Sequence, residues 1–199
     1  MDDNDIRQEW AERSGEYSPE YYAHYGPDET SDRVVAAVER HVGTDARVLE
    51  VGCSAGRHLA ALHEAGFESL TGVDVNADAL DVLAETYPAL ARTGTFHAGA
   101  VEEFVTGVDD DAFDVVFSVE TLQHIPPDNE WVFDELSRVT SDLLVVVENE
   151  GREPGTVEYV DEDVPLFYRD WQSVFTDRGL LERESTTGKR DTLRVFSVE

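Results

Sequence analysis

The stretch Arg47-Val48-Leu49-Glu50-Val51-Gly52-Cys53-Ser54-Ala55-Gly56-Arg57-His58-Leu59 decides the fold of this 199-residue chain. Its first part, 47–51, is a short apolar run that predicts a buried strand, and its last part has the spacing of an amphipathic helix. The glycines between them let a ligand approach the backbone closely, and the N–H groups that open the helix then point at that ligand. Strand, glycine turn and helix in this order predict a site for a nucleotide-like molecule.

Two known motifs share features with this turn but fit it poorly. A dinucleotide fingerprint requires glycine at its third and sixth positions, where this chain has Ser54 and Arg57. Residues 52–56 match the Gly-x-Ser-x-Gly turn of α/β hydrolases, which needs an acid and then a histidine later in the chain. The last histidine is His124, and none follows in the C-terminal third. The sequence therefore disfavours both a nicotinamide-dependent oxidoreductase and a hydrolase.

A third interpretation fits the turn best. Residues 50–56 resemble motif I of the class I S-adenosylmethionine-dependent methyltransferases, in which an acid and spaced glycines follow the first strand, and Ser54 replaces the middle glycine. The resemblance implies that S-adenosylmethionine is the cofactor. It also implies that four residues shape the site for its methionine end: Glu50, Gly52, Ser54 and Gly56.

The second predicted strand ends in Asp74, about 20 residues after Gly52. A carboxylate at the carboxyl end of the neighbouring strand can accept both hydroxyl hydrogens of a ribose. The resemblance assigns the acid of motif II to Asp74 and places Val75 beside it in the cofactor site. Asn76 or Asp78 is the expected N-cap of the helix that follows.

The third predicted strand, 95–99, lacks the acid that the family usually places after it to contact the adenine amine. A Gly-Ala pair stands there instead. The resemblance then implies that backbone groups of Ala100 and Val101 contact the adenine. Glu102 or Glu103 is the alternative source of an acid.

The fourth predicted strand, 113–119, carries the Phe-Asp-x-Val pattern typical of the family's motif IV. The segment after it, 120–126, resembles the loop that lines the methyl-transfer site of many small-molecule methyltransferases. The resemblance implies that Val119 borders the cofactor site and that His124 is the candidate general base, since the ordinary pKa of histidine lies near 6.5. A structural role for His124 in orienting the loop is the alternative, and Glu120 is a weaker candidate for binding the acceptor.

The end of the chain completes an α/β pattern. Residues 143–147 predict a central strand buried on both faces, 163–167 are expected to be a loop, and a last helix follows. Two alternating runs, 180–187 and 192–198, predict a closing antiparallel hairpin. A hairpin after parallel strands is typical of the methyltransferase sheet and differs from the plain dinucleotide fold.

The length of the chain predicts one domain over residues 1–199, with a helical cap at 1–43 and a Rossmann-like core at 44–199. The resemblance covers about Ala46 to the C-terminus. We expect the core to be a doubly wound, seven-stranded and mostly parallel sheet that ends in the antiparallel hairpin. Four tyrosines fall between positions 17 and 25 of the cap. The sequence leaves open whether they touch a ligand or only pack the cap onto the core.

The net charge of the chain is −29, with 44 acidic and 15 basic residues, of which only Lys189 is a lysine. Acids spread over the whole chain resemble the composition of a halophile's cytoplasmic protein, whose surrounding salt screens the repulsion. A nucleic-acid mimic is the alternative. The sequence shows no basic stripe for a nucleic-acid substrate, no membrane-spanning run, no signal-peptide pattern and only one cysteine, Cys53.

The expected activity is methyl transfer from S-adenosylmethionine to a small molecule. An in-line displacement at an activated methyl needs mainly proximity and exclusion of water, so few catalytic side chains are expected. A non-catalytic module that binds S-adenosylmethionine or its demethylated product remains the main alternative. The acidic edge at 148–153 favours a neutral or cationic acceptor over an anionic one.

Overall fold

The structure is a computed structural model that describes residues 3–160 and 164–199, without the side chains of Asp3 and Asn4. Its helices are α1 (Asp3–Ala11), α2 (Pro19–Tyr25), α3 (Glu29–Glu39), α4 (Arg57–Glu64), α5 (Asp78–Thr86), α6 (Pro88–Thr93), α7 (Val101–Val105), α8 (Trp131–Val139) and α9 (Trp171–Thr176). Its strands are β1 (Arg47–Val51), β2 (Ser69–Asp74), β3 (Thr95–Ala98), β4 (Phe113–Val119), β5 (Thr140–Asn149), β6 (Val157–Val160), β7 (Val164–Phe167), β8 (Leu181–Thr187) and β9 (Asp191–Ser197).

Seven of the strands form one sheet in the order β3-β2-β1-β4-β5-β9-β8. The first five are parallel, and β9 pairs antiparallel with both β5 and β8. The chain therefore starts in the middle of the sheet, runs outward to β3, and returns to the other side at β4. This confirms the predicted doubly wound, mostly parallel sheet with its closing hairpin. Crevices for ligands lie where such a sheet reverses its strand order, between β1 and β4.

The core lies in two layers, one on each face of the sheet. Because side chains alternate along a strand, Val48 packs in the layer of α3 and α4, and Leu49 packs in the layer of α7, α8 and α9. In β5, Val145 and Leu144 divide in the same way. Helices on both faces explain why 143–147 is almost continuously aliphatic.

One segment differs from its expectation. Residues 164–167 form β7, which pairs antiparallel with β6 in a separate two-stranded ribbon. The loop expected at 163–167 is therefore wrong over these four residues. Asp163 lies outside the described residues. Pro165 makes this strand hard to predict from the sequence, because proline donates no hydrogen bond to a neighbouring strand and is tolerated only at the edge of a sheet. Both strands of this ribbon are edges.

Helices α1 and α2 lie over the carboxyl ends of the parallel strands. Ile6 of α1 is buried, and the side chain of Asn76, after β2, donates to the main-chain oxygen of Trp10 at 3.4 Å. Ser18 caps α2 by accepting from the N–H of Tyr21, and Pro19 opens the helix. Within the described residues, no helix combines the length and apolar character that crossing a membrane requires.

Candidate active site

A cavity with about 1150 Å³ of empty space, part of it open to solvent, lies between the sheet and the cap. Its floor is formed by the segments that follow β1, β2 and β4, and its roof by α1, α2 and the turn between them. The position agrees with the crevice expected where the strand order reverses. Seven of the nine predicted cofactor residues line its wall: Gly52, Ser54, Asp74, Val75, Ala100, Val101 and Val119.

The turn after β1 has a backbone that few residue types adopt. Gly52 and Gly56 have φ angles of 72° and 75°, and Ser54 has a φ of 44° although it carries a β-carbon. A non-glycine residue in the left-handed region stores strain, which persists only where the surroundings hold it. The N–H of Ser54 donates to Oδ2 of Asp74 at 2.7 Å, and this hydrogen bond helps to hold it.

Asp74 links the turn to the end of β2. Its Oδ1 accepts from the N–H of Asn76 at 2.9 Å, while its Oδ2 accepts from Ser54. Burial raises the pKa of the Asp74 carboxyl, and the two N–H donors act in the opposite direction. Each carboxylate oxygen keeps free lone pairs for another donor. The side chain of Asn76 accepts from the N–H of Asp78, the first residue of α5, but the N-cap of this helix is Ala77, so the expected N-cap at Asn76 or Asp78 is wrong.

The wall beyond Asp74 is formed by Gly99, Ala100, Val101 and Glu102. Of the two alternative acids, Glu102 lines the cavity and Glu103 is exposed outside it. The Glu102 carboxylate lies 3.3 Å from Nη2 of Arg7 on α1 and accepts from the Asn129 side chain at 3.3 Å. The cap and the floor therefore meet through an ion pair at this end.

Two motif residues, Glu50 and Gly56, do not reach the cavity. Glu50 is 1% exposed, and burial raises the pKa of its carboxyl well above the ordinary value, while a backbone hydrogen bond from Leu59 of α4 lowers it. A β-carbon on Gly56 would come within 2.5 Å of Leu83. Both residues lie beneath the turn and support it from the core side.

His124 lies in a short 3-10 turn after β4 and borders the cavity. Its Nδ1 is 2.9 Å from the carbonyl oxygen of Pro165, and its ring centroid lies 4.8 Å from that of Trp10. Burial lowers the pKa of His124 to about 4. A carbonyl oxygen only accepts, so the neutral imidazole carries its hydrogen on Nδ1 and keeps the lone pair on Nε2.

The cap contributes aromatic side chains, among them two of the four tyrosines whose role the sequence left open. Trp10, Tyr17 and Tyr22 line the cavity, whereas Tyr21 and Tyr25 do not. The guanidinium of Arg57, at the start of α4, lies 4.7 Å from the ring centroid of Tyr22 and 2.7 Å from the carboxylate of Asp28. Burial and the nearby Glu120 raise the pKa of the Tyr22 hydroxyl.

Glu120 and Glu148 lie close to the same loop and have different roles. Glu120 lines the cavity with a φ of 50°, and burial raises its pKa. Glu148, at the end of β5, is completely buried beneath the loop and does not line the cavity. The sequence pointed to Glu148 only as part of an acidic edge, because its partners are about 25 to 30 residues away along the chain.

The arrangement offers hydrogen-bond acceptors, a tight backbone turn and aromatic walls. Among residues 3–160 and 164–199, no group of three or more histidine, cysteine, aspartate or glutamate side chains is arranged to hold a metal ion.

Comparisons with known proteins agree with this geometry. A family model described as a methyltransferase domain matches residues 48–142. An O-methyltransferase of Pyrenophora dematioidea is 27% identical over 78 residues, which are 39% of this chain and 29% of that protein. The matched part thus spans less than a third of that relative's length.

Solved structures share the fold. The magnesium protoporphyrin IX methyltransferase of Synechocystis PCC 6803, solved with bound S-adenosylhomocysteine, superposes with a TM-score of 0.73 at 15% identity, covering 100% of both chains. The 1,6-didemethyltoxoflavin-N1-methyltransferase of Burkholderia thailandensis has a TM-score of 0.67 at 18% identity, covering 85% of this chain and 77% of that one. Over residues 48–142 the chain matches the methyltransferase domain, and its turn and sheet have the fold of the class I S-adenosylmethionine-dependent methyltransferases.

Proposed function

We propose that the protein transfers a methyl group from S-adenosylmethionine to a small-molecule acceptor. One observation carries the proposal: the strained turn at 52–56 and the carboxylate of Asp74 meet at the wall of a single cavity whose opposite wall is aromatic. The two neighbours solved with S-adenosylhomocysteine, named for a porphyrin and for a toxoflavin precursor, support a small-molecule acceptor.

The residues present fit S-adenosylmethionine. Asp74 keeps one accepting position on each oxygen for the two ribose hydroxyls, and Ala100 and Val101 offer backbone groups to the adenine. Gly52 and Ser54 bring main-chain groups to the methionine end. The cofactor supplies an activated sulfonium methyl group when bound. The protein then has to hold the acceptor in line with it and exclude water.

His124 is the side chain that we propose to receive the acceptor's hydrogen. Its Nδ1 is engaged with Pro165, so the accepting nitrogen is Nε2, which lies 3.5 Å from the side-chain amide nitrogen of Gln123 and would exchange that contact for the acceptor. Because burial lowers its pKa to about 4, the ring is neutral at neutral pH and accepts a hydrogen bond without being a strong base. His124 therefore orients the nucleophile and takes up its proton late in the transfer.

The residues that line the cavity indicate what kind of acceptor fits better than the acidic edge at 148–153 does. Trp10, Tyr17 and Tyr22 line the roof, and Ile125 and Pro126 line the side next to His124. These surfaces suit a planar, mainly apolar acceptor.

The preference for a neutral or cationic acceptor was expected because of the acidic edge at 148–153, and the positions of Glu148 and Glu150 do not support it. Glu148 is buried under the loop, and Glu150 is ion-paired with Arg194 at 2.9 Å. Neither carboxylate lines the cavity.

The net charge supports a second part of the proposal, that the protein works in the concentrated salt of a halophile's cytoplasm. A charge of −29 on 199 residues opposes the compact state in dilute buffer. Binding experiments therefore belong in concentrated KCl.

The test is calorimetric titration of S-adenosylmethionine, S-adenosylhomocysteine and NAD into wild type and Asp74→Ala. We expect only the first two to bind, with the variant weakened by about 1.5–3 kcal/mol because a charged acceptor is lost. Asp78→Ala is the matched control, since Asp78 is exposed and outside the cavity. Binding of NAD, or of none of the three by folded protein, contradicts the proposal.

Turnover separates an enzyme from a non-catalytic binding module. A panel of planar phenols, carboxylic acids and heteroaromatic amines is incubated with S-adenosylmethionine, and release of S-adenosylhomocysteine is measured. Release that depends on the added compound supports the enzyme. Tight cofactor binding without release on any compound favours the module.

A further inference from the structure

The loop that carries His124 is organised by one buried carboxylate, Glu148. Glu148 follows the aliphatic run of β5, is 0% exposed and reaches across to β4. Its Oε1 accepts from Oγ of Ser118 at 2.8 Å and from the N–H groups of Leu122 and Thr121 at 3.1 and 3.3 Å. A carboxylate without solvent is stable only where such donors surround it.

The second oxygen holds the residue next to His124. Oε2 of Glu148 accepts from the N–H of Gln123 at 3.3 Å, and Oε1 of the Gln123 side chain accepts from the N–H of Asn149 at 2.9 Å. Gln123 is thus tied to the end of β5 through its main chain and its side chain. His124, the next residue, is then directed towards Pro165 and the cavity.

Only the ionised carboxylate can accept all of these hydrogen bonds at full strength. Protonation turns one oxygen into an O–H group, which is a donor. Placed on Oε2, that hydrogen faces the N–H of Gln123, and two donors repel each other there.

We propose that Glu148 is a positioning residue whose ionised form holds Thr121 and Gln123 in place and so keeps His124 at the cavity wall, and whose protonation releases this loop. That this loop borders the methyl acceptor rests on the proposed function. That the structure of the loop depends on Glu148 is independent of the proposed function.

The groups around Glu148 place this change within reach of neutral pH. Burial raises its pKa to about 7, against the lowering effect of its four donors. The buried Arg169, before α9, acts on it electrostatically and also donates to the carbonyl oxygen of Ile125 at 2.6 Å. From β9, the uncharged Thr192 stands opposite it, and His124 is neutral at this pH.

The experiment follows amide hydrogen exchange of Leu122 and Gln123 by NMR, from about pH 8 to about pH 6, corrected for intrinsic exchange. In wild type, we expect their protection to fall about tenfold as the charged acceptor is lost, relative to core amides such as that of Val145. Glu148→Gln, which keeps the shape and removes the charge, should lack this step and show low protection at every pH.

Two further variants separate positioning from general stability. Ser118→Ala removes a donor that favours the ionised form, so the midpoint of the step should move to higher pH. Asp114→Asn is the matched control, because Asp114 bonds to Arg47 at the other end of β4. It should leave the step unchanged.

The outcomes are distinct. The proposal is overturned if wild type shows no change in protection with pH. It is also overturned if Glu148→Gln and Asp114→Asn lose protection equally across the whole sheet. A midpoint that stays fixed in Ser118→Ala also overturns it. S-adenosylhomocysteine binding is measured on the same samples, and its absence in wild type counts against the proposed function alone.

Discussion

Gly52 lies so close to the side chain of Thr121 that no β-carbon fits between them. The three atoms nearest to a β-carbon built on Gly52 all belong to Thr121, and each would overlap with it. Gly52 follows β1 and Thr121 follows β4, the two neighbouring parallel strands between which the strand order of the sheet reverses. The glycine turn and the loop of His124 therefore pack as one unit.

Replacing Gly52 by alanine should weaken both the fold and the cofactor site. The φ of 72° strains any side chain, and the added methyl must displace Thr121, so we expect a loss of about 2–4 kcal/mol in the free energy of unfolding. Denaturant unfolding and calorimetry with S-adenosylhomocysteine measure the two effects.

Gly155→Ala is the control for that variant. Gly155 has a φ of 88° but nothing within 4 Å of an added β-carbon, so its substitution reports the backbone strain alone. The difference between the variants measures the overlap with Thr121. An equal decrease in the free energy of unfolding for both variants would show that the overlap with Thr121 does not contribute to the destabilisation.

How much of this site the sequence predicts depends on the distance between partners along the chain. The turn at 52–56 and the acid that ends β2 follow from local patterns, because glycine spacing and the end of a strand can be recognised from consecutive residues. The bond from His124 to Pro165 and the anchoring of Gln123 by Glu148 join separate segments, and no local pattern signals them. β7 was missed for the same reason, since its four residues gain their regularity only from pairing with β6.

Glu50 shows a different limit of sequence reasoning. The motif predicts an acid at this position, but strand alternation decides which way the side chain points, and here it lies under α4 instead of in the cavity. The resemblance to motif I thus locates the turn correctly, but it does not tell which residues of the motif line the cavity.

His124 should titrate well below the ordinary range. We expect an imidazole pKa of about 4, with the Nδ1-protonated form above it, because the ring is buried and its Nδ1 bonds to Pro165. Nitrogen-15 NMR distinguishes the two neutral forms directly. A midpoint near 6.5, or a hydrogen on Nε2, would contradict the role assigned to the ring.

The same residue should matter for turnover more than for cofactor binding. His124→Ala is expected to lower methyl transfer about 100-fold or more while leaving S-adenosylhomocysteine affinity within about threefold. His97→Ala serves as the control, since His97 lies on β3 outside the cavity. Equal losses in turnover and affinity would assign His124 a structural role.

His58 should make the protein sensitive to acid. It is 5% exposed, its Nδ1 lies 2.8 Å from Oγ of Ser31, and burial, aided by Arg57, lowers its pKa to about 3. The unfolded chain binds a proton there below about pH 6.5 and the folded chain does not, so stability falls as the pH falls through this window. Between pH 6.5 and pH 5 the loss amounts to about 2 kcal/mol.

Denaturant unfolding of His58→Asn and wild type at pH 7 and pH 5 measures this contribution. The variant should lose about 2 kcal/mol less than wild type over this interval. Glu148, whose pKa is raised, acts in the opposite direction but contributes equally to both proteins. His63→Asn, on the same helix, is the control. Parallel pH profiles for wild type and His58→Asn would show that His58 is protonated equally in both states.

Concentrated KCl should stabilise the fold against its own charge. The net charge is −29, and the distance over which exposed charges repel shrinks from about 8 Å at 0.15 M salt to about 3 Å at 1 M. We therefore expect the free energy of unfolding to rise steadily from 0.15 M to about 2 M KCl. A triple variant, Asp81→Asn with Glu85→Gln and Glu103→Gln, removes three exposed acids and should be more stable in dilute buffer, with a smaller gain from salt. If wild type and the variant respond to KCl identically, the salt effect does not come from charge repulsion, and the acidic composition no longer supports a high-salt setting.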